Sequence, residues 1–169
     1  MKKNIFLISV FVISFLIGCS TCGTRSRAES EFNFIFKYGT GARNILNTFN
    51  GEFTKDMVLD DPITIDFILT NEEMKNILAK MKEIKFFDYP QVFSIVNNPD
   101  DIEGFVTPYN SYYFKVRDNS KTKELFWEDK IINKDEKADK LRALIKFIIS
   151  TIKAKEEYKK LPPARDGYL

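Results

Sequence analysis

The chain counts 169 residues, 26 of them Lys or Arg and 24 Asp or Glu, with two cysteines and no histidine. Such balanced charge excludes a polybasic nucleic-acid binder, and so few Cys and His exclude a disulfide framework and a four-ligand Cys/His zinc site. The missing histidine also removes the commonest general base and activator of a nucleophile.

Residues 1–18 read as an export signal. Lys2 and Lys3 supply its charged start, and Ile5 to Gly18 follow as 14 uncharged residues. A bilayer span takes about 20, so the run is short for a permanent helix and right for a cleaved signal. It ends in Leu16-Ile17-Gly18-Cys19, which resembles a bacterial lipobox: a branched apolar residue, a small or apolar one, a small one, then cysteine. The resemblance implies a diacylglyceryl group on the Cys19 thiol and cleavage between Gly18 and Cys19. The mature chain is then expected at the extracytoplasmic face of the cell membrane, lipid-anchored, since two acyl chains hold stably where one is marginal. Cleavage removes Lys2 and Lys3 and leaves 24 basic against 24 acidic residues. A neutral body offers neither a nucleic-acid surface nor a polybasic lipid-binding face. Cys22 completes a C-x-x-C spacing, but the strand and helix that frame a redox pair are missing around it, which makes it a bystander or a second acylation target.

Residues 19–31 are small, polar and charged and read as a flexible tether. Residues 32–169 form one domain, in which 14% aromatic residues across the chain supply a packed core without disulfides. "FNFIFKY" sets Phe32, Phe34, Phe36 and Tyr38 on one side of a strand, and the Gly39-Thr40-Gly41 turn pairs it with a second strand from Ile45 to Phe53, interrupted at Asn50-Gly51. "PITIDFIL" follows as a third strand, with Pro62 first and Ile63, Ile65, Phe67 and Leu69 on one face. Thr70 and Glu73 form a capping box, which opens a helix through Met74, Ile77, Leu78, Met81 and Ile84 that ends near Phe87 ahead of Pro90.

Gln91 to Asn110 show no period and read as a long loop. "SYYFKVR" and "KELFWED" flank Asp118-Asn119-Ser120-Lys121 as a β-hairpin, with Tyr112, Phe114 and Val116 on one face and Leu125 and Trp127 alternating in the partner. A second helix is predicted from Asn133, with Glu136 three residues on and Leu141, Leu144, Ile145, Ile148 and Ile152 on one stripe. It stops before Leu161-Pro162-Pro163 and leaves "ARDGYL" as an extended tail. Strands, helix, hairpin, helix in this order predict an α+β domain: a mostly antiparallel sheet of about five strands with two amphipathic helices on one face.

No residue set announces catalysis or a metal site. Asp56, Asp60, Asp61, Glu128 and Asp129 are candidates for the two facing carboxyls of glycosidase-like chemistry, yet 24 acids bring some together by chance. Asp100, Asp101 and Glu103 lack the alternation and terminal glutamate of a calcium loop and read as a solvated turn. The aromatic pair is more telling. A sheet packed on one side buries one set of hairpin residues, so Tyr113 and Phe126 are either covered by the preceding loop, the reading we take first, or exposed as a binding patch.

"FTKDM", "SYYFKV", "WEDKIINKDEKADKL" and "EEYKKLPPARDGYL" resemble segments of small uncharacterised lipoproteins of low-GC Gram-positive bacteria. That resemblance covers most of the domain and implies no activity. The expected function is a membrane-tethered, non-catalytic module, without cofactor, that binds an envelope protein or wall component; the alternative is a carboxylate-dependent enzyme acting on cell-wall glycans.

Overall fold

The computed structural model describes residues 31–165. The export signal, Cys19, Cys22 and all of the tether but Glu31 lie outside them. The first strand, β1 (Phe32–Tyr38), alternates as the sequence pattern requires: its four aromatic residues point inward and are buried. It pairs antiparallel with β2 (Asn44–Asn47) across a short 3-10 turn. Gly39 must be glycine there, because its φ of 94° is left-handed and a Cβ would meet Asn44 Nδ2 at 2.9 Å.

Seven strands, β1 and β2 with β3 (Glu52–Met57), β4 (Asp60–Asp66), β5 (Val92–Phe93), β6 (Phe105–Asp118) and β7 (Lys121–Ile131), form one mixed sheet in the order β4-β3-β2-β1-β6-β7-β5. The domain is α+β, but the expected count of about five antiparallel strands is too low for two local reasons. The Ile45–Phe53 segment is no single strand: it turns back at Thr48 to Gly51, where Gly51 has φ 69°, and continues as β3 (Glu52–Met57). The predicted loop also holds β5 (Val92–Phe93), a two-residue strand that pairs parallel with β7 (Lys121–Ile131). Two residues carry no readable period.

The same loop is shorter than expected, because β6 (Phe105–Asp118) starts six positions before Ser111. The early start passes through a bulge, since the pairing with β7 slips between Phe105 and Asn110. The hairpin turn itself is as read, with Asn119 taking the left-handed conformation at φ 54°. β4 (Asp60–Asp66) lies at the sheet edge, where Pro62 at its third residue is tolerated.

Helix α1 (Asn71–Glu83) opens with the predicted capping box: Glu73 N donates to Thr70 Oγ1 at 3.2 Å and Thr70 N donates to Glu73 Oε2 at 2.7 Å. It ends earlier than expected, at the Ile84 cap, because Lys85 turns left-handed at φ 56°. The chain thereby drops Phe86 into the core, 5.1 Å from Phe114. Helix α2 (Glu136–Ala154) is capped by Asp135, whose carboxylate accepts from Ala138 N at 2.7 Å, and not by Asn133. Asn133 is already engaged: it donates to Asp101 O at 2.7 Å and accepts from Glu103 N at 2.9 Å. Lys155, extended at ψ 141°, breaks the helix and starts the single turn α3 (Glu156–Lys159).

Both long helices cover one face of the sheet. Their stripes, Ile77, Leu78 and Met81 from α1 and Leu141, Leu144, Ile145, Ile148 and Ile152 from α2, join the inward aromatics in a single core. At the end of the described chain, Arg165 makes a bidentate pair with Asp60, with Nε to Oδ2 at 2.6 Å, and bridges Val58.

Candidate functional site

Among the described residues no helix lies on the opposite face of the sheet. Because adjacent strand residues alternate, each inward aromatic implies an outward neighbour, and cross-strand pairing lines these up. Ile45, Lys37, Tyr113, Phe126 and Val92 stand in one row across β2, β1, β6, β7 and β5. The two predicted patch residues, Tyr113 and Phe126, are direct partners in that row. Covering by the preceding loop does not hold: Phe126 is 38% exposed, Val92 beside it 68%, and Tyr113 is half-buried.

Cations border these rings. Lys37 Nζ lies 5.6 Å from the centre of the Tyr113 ring, and the Arg117 guanidinium lies 5.0 Å from that of Phe49. In the next row Lys115 pairs with Glu124 at 3.3 Å across the strands. Partial burial first and the Glu124 carboxylate second push the Tyr113 phenol above its usual range, with Lys115 opposing. Tyr113 is therefore neutral at physiological pH, with its hydroxyl hydrogen-bonded to the Glu124 carboxylate. Aromatic rings flanked by cations suit recognition of another surface.

The carboxylates singled out in the sequence are spread across the sheet. Asp56 on β3 and Asp60 and Asp61 on β4 sit toward one edge, and Glu128 and Asp129 on β7 near the other. Four to five strand spacings of about 4.8 Å separate the two groups by roughly 19–24 Å, whereas a glycosidase pair stands about 5–9.5 Å apart. Four of them are engaged: Asp56 accepts from Val58 N at 3.2 Å, and Asp60 pairs with Arg165, Glu128 with Lys130 at 2.6 Å and Asp129 with Arg142 at 2.6 Å. Asp129 raises the pKa of Arg142, whose guanidinium also lies 5.3 Å from the Trp127 ring centre, so this pair ties α2 to the sheet. Among the described residues no group of three or more His, Cys, Asp or Glu is placed to hold a metal ion. No described helix is long and apolar enough to cross a membrane.

Two further features lie outside the uncovered face. A hollow of about 300 Å³ opens between the end of α1 and the start of α2, lined by Ile84, Tyr89, Glu83, Lys85, Lys137 and Lys140. Its charges are mixed, and Lys140 is paired with Glu136 at 2.5 Å. At the end of the β6–β7 hairpin away from its turn, Phe105, Val106 and Ile132 are exposed. The sequence reading missed this end because it treated Gln91 to Asn110 as a loop. The available signal was the apolar pair Phe105-Val106 directly after the acidic Asp100, Asp101 and Glu103, matched by Ile131-Ile132 after the hairpin.

No family model, curated protein or solved structure matches the chain.

Proposed function

We propose that this chain is a lipid-anchored, extracytoplasmic module of the cell membrane that binds an envelope protein or wall component through the uncovered face of its sheet, without catalysis. The observation that supports this most is the row Lys37, Tyr113, Phe126 and Val92, a partly exposed aromatic and aliphatic strip on a face that no described helix covers. Rigid strands hold these side chains, which keeps the ordering cost of binding low. The Leu16-Ile17-Gly18-Cys19 stretch supports the anchor, and a charge balance near neutrality lets the lipid alone govern membrane attachment.

The test is a crosslinking pull-down from intact cells that express the lipidated protein. Tyr113→Ala with Phe126→Ala should sharply reduce partner capture while leaving export and acyl labelling intact. Undiminished capture by a folded double variant would reject this face as the binding surface. In parallel, Cys19→Ala should remain uncleaved and unlabelled by a fatty-acid probe, whereas Cys22→Ala should keep the label; normal labelling of Cys19→Ala would reject the anchor.

A further inference from the structure

We infer that the end of the β6–β7 hairpin remote from its turn is a second docking surface, for a cationic amphipathic segment of a partner protein. Phe105, Val106 and Ile132 are 63%, 46% and 55% exposed there. Exposed apolar residues are ordinarily scattered singly, and several large ones gathered at one end of a domain mark an interface.

This end is a built surface. Ile132 N donates to Gly104 O at 3.1 Å. The Ile132 side chain lies so close over Gly104 that a Cβ there would sit 3.0 Å from its Cδ1. Asn133 then ties the acidic loop to the hairpin by bonding both Asp101 O and Glu103 N. The Asn98 side chain adds a cap by accepting from Asp100 N at 3.2 Å.

Charge selects the occupant. Asp100, Asp101 and Glu103 are exposed and make no ion pair among the described residues, while Lys130 near the end of β7 is held by Glu128 at 2.6 Å. Apolar surface rimmed by uncompensated carboxylates repels an anionic bilayer, and a second copy of the same end would bring like charges together. A segment that carries both apolar side chains and Lys or Arg satisfies both features at once.

Position agrees. The chain enters the domain at the opposite end of the hairpin, where Asn119 N donates to Glu31 O at 3.2 Å. At ~3.3 Å per residue, the 14 residues of β6 separate the two ends by up to about 45 Å. The apolar end therefore points away from where the tether joins, toward whatever lies beyond. This inference does not rest on the Tyr113 and Phe126 face.

The experiment takes the full lipidated mature chain in nanodiscs of uncharged phosphatidylcholine and titrates it with a fluorescent Leu/Lys amphipathic peptide of about 18 residues. A Leu/Glu peptide of the same pattern and empty nanodiscs serve as controls. The Leu/Lys peptide should bind, and Asp100→Asn with Asp101→Asn and Glu103→Gln should weaken it by about tenfold and remove most of its salt dependence. Phe105→Ser with Ile132→Ser should weaken it comparably, and Tyr113→Ala with Phe126→Ala should not. The amide set alters only exposed side chains, so it decides the matter if the serine pair fails to fold. Equal binding by the amide set and the unaltered chain would overturn the inference. So would anionic vesicles that engage this end, or a dimer that Phe105→Ser dissolves.

Discussion

Along β1, Phe34 and Phe36 are fully buried beneath the helices, while Ile35 and Lys37, one residue away and pointing oppositely, are half-buried beside solvent. The same contrast repeats in β6, where Phe114 is fully buried and Tyr113 is not. One face is saturated: its rings stack on one another, Phe36 on Phe114 at 4.6 Å, and the helices fill what remains. The other face has aromatic and apolar side chains of similar size but charged side chains and solvent around them. Size and hydrophobicity therefore do not decide burial in this sheet. Alternation decides which face a residue joins, and the placement of α1 and α2 decides which face is closed.

The sharpest way to break this contrast is to remove a ring from the closed face. Phe114 touches Phe36 and Phe86 and has no exposed surface. Phe114→Ala should cost about 3–5 kcal/mol through lost burial and an unfilled cavity. Urea unfolding of the variant should show a much lower midpoint or no native baseline. A loss below about 1 kcal/mol would mean that the closed face is loosely packed, and the distinction between faces would fail.

A smaller effect is expected where the cover is fastened to the sheet. Arg142 on α2 bonds both Asp129 oxygens, at 3.0 and 2.6 Å, and lies over Trp127. Arg142→Ala should cost about 1–3 kcal/mol, since a charge-assisted bidentate bond and a ring contact go together and Asp129 is left mostly covered. Asp129→Asn should recover part of the loss by removing the stranded charge. If that second substitution in the Arg142→Ala background changes nothing, the pair is a solvent-exposed contact and not a fastening.

The closed face was largely legible in the sequence, and the reason is physical. Period-two runs such as Phe32 to Tyr38 and a capping box at Thr70 are local signals, and local signals fix where a strand faces and where a helix starts. The misreadings share the opposite property. β5 is held by its parallel pairing with β7, Asn133 lost the cap to Asp135 because a distant loop claimed its side chain, and β6 extends to Phe105 through a bulge. Each depends on residues 26 or more positions away, from Phe105 to Ile131 at the least, which a window along the chain does not include. Phe105, Val106 and Ile132 escaped notice for that reason. Tyr113 and Phe126 were found because they follow directly from alternation in the hairpin.

Next in size is the cover's own start. Thr70→Ala removes the side chain that accepts from Glu73 N, and it should cost about 1 kcal/mol in a thermal or urea melt. Partial burial raises the Glu73 pKa, but the Thr70 hydrogen bonds and Lys155 outweigh it and leave Glu73 below its ordinary value of 4.5. A carboxyl depressed on folding stabilises the fold in full above its unfolded pKa and loses that contribution as pH falls through its folded value. The native protein should thus weaken below about pH 4.5, and Glu73→Gln should flatten that part of the stability curve. An acid limb identical in both proteins would remove Glu73 from the account.

The smallest effect belongs to the uncovered face, and it completes the comparison. Tyr113→Ala with Phe126→Ala removes a cross-strand aromatic pair that solvent already reaches, and such pairs contribute about 0.2–1 kcal/mol. The double variant should keep a cooperative melt within a few degrees of the unaltered protein. This near-silence is informative only beside Phe114→Ala, which removes one ring from the same strand, one residue away, and should unfold the protein or nearly so. If the double variant loses as much as Phe114→Ala, the outward rings are covered in solution and no uncovered face exists for a partner to meet. If it loses little stability yet abolishes capture from intact cells, the rings outside the core serve binding rather than folding, and the asymmetry of the sheet is the functional feature of the domain.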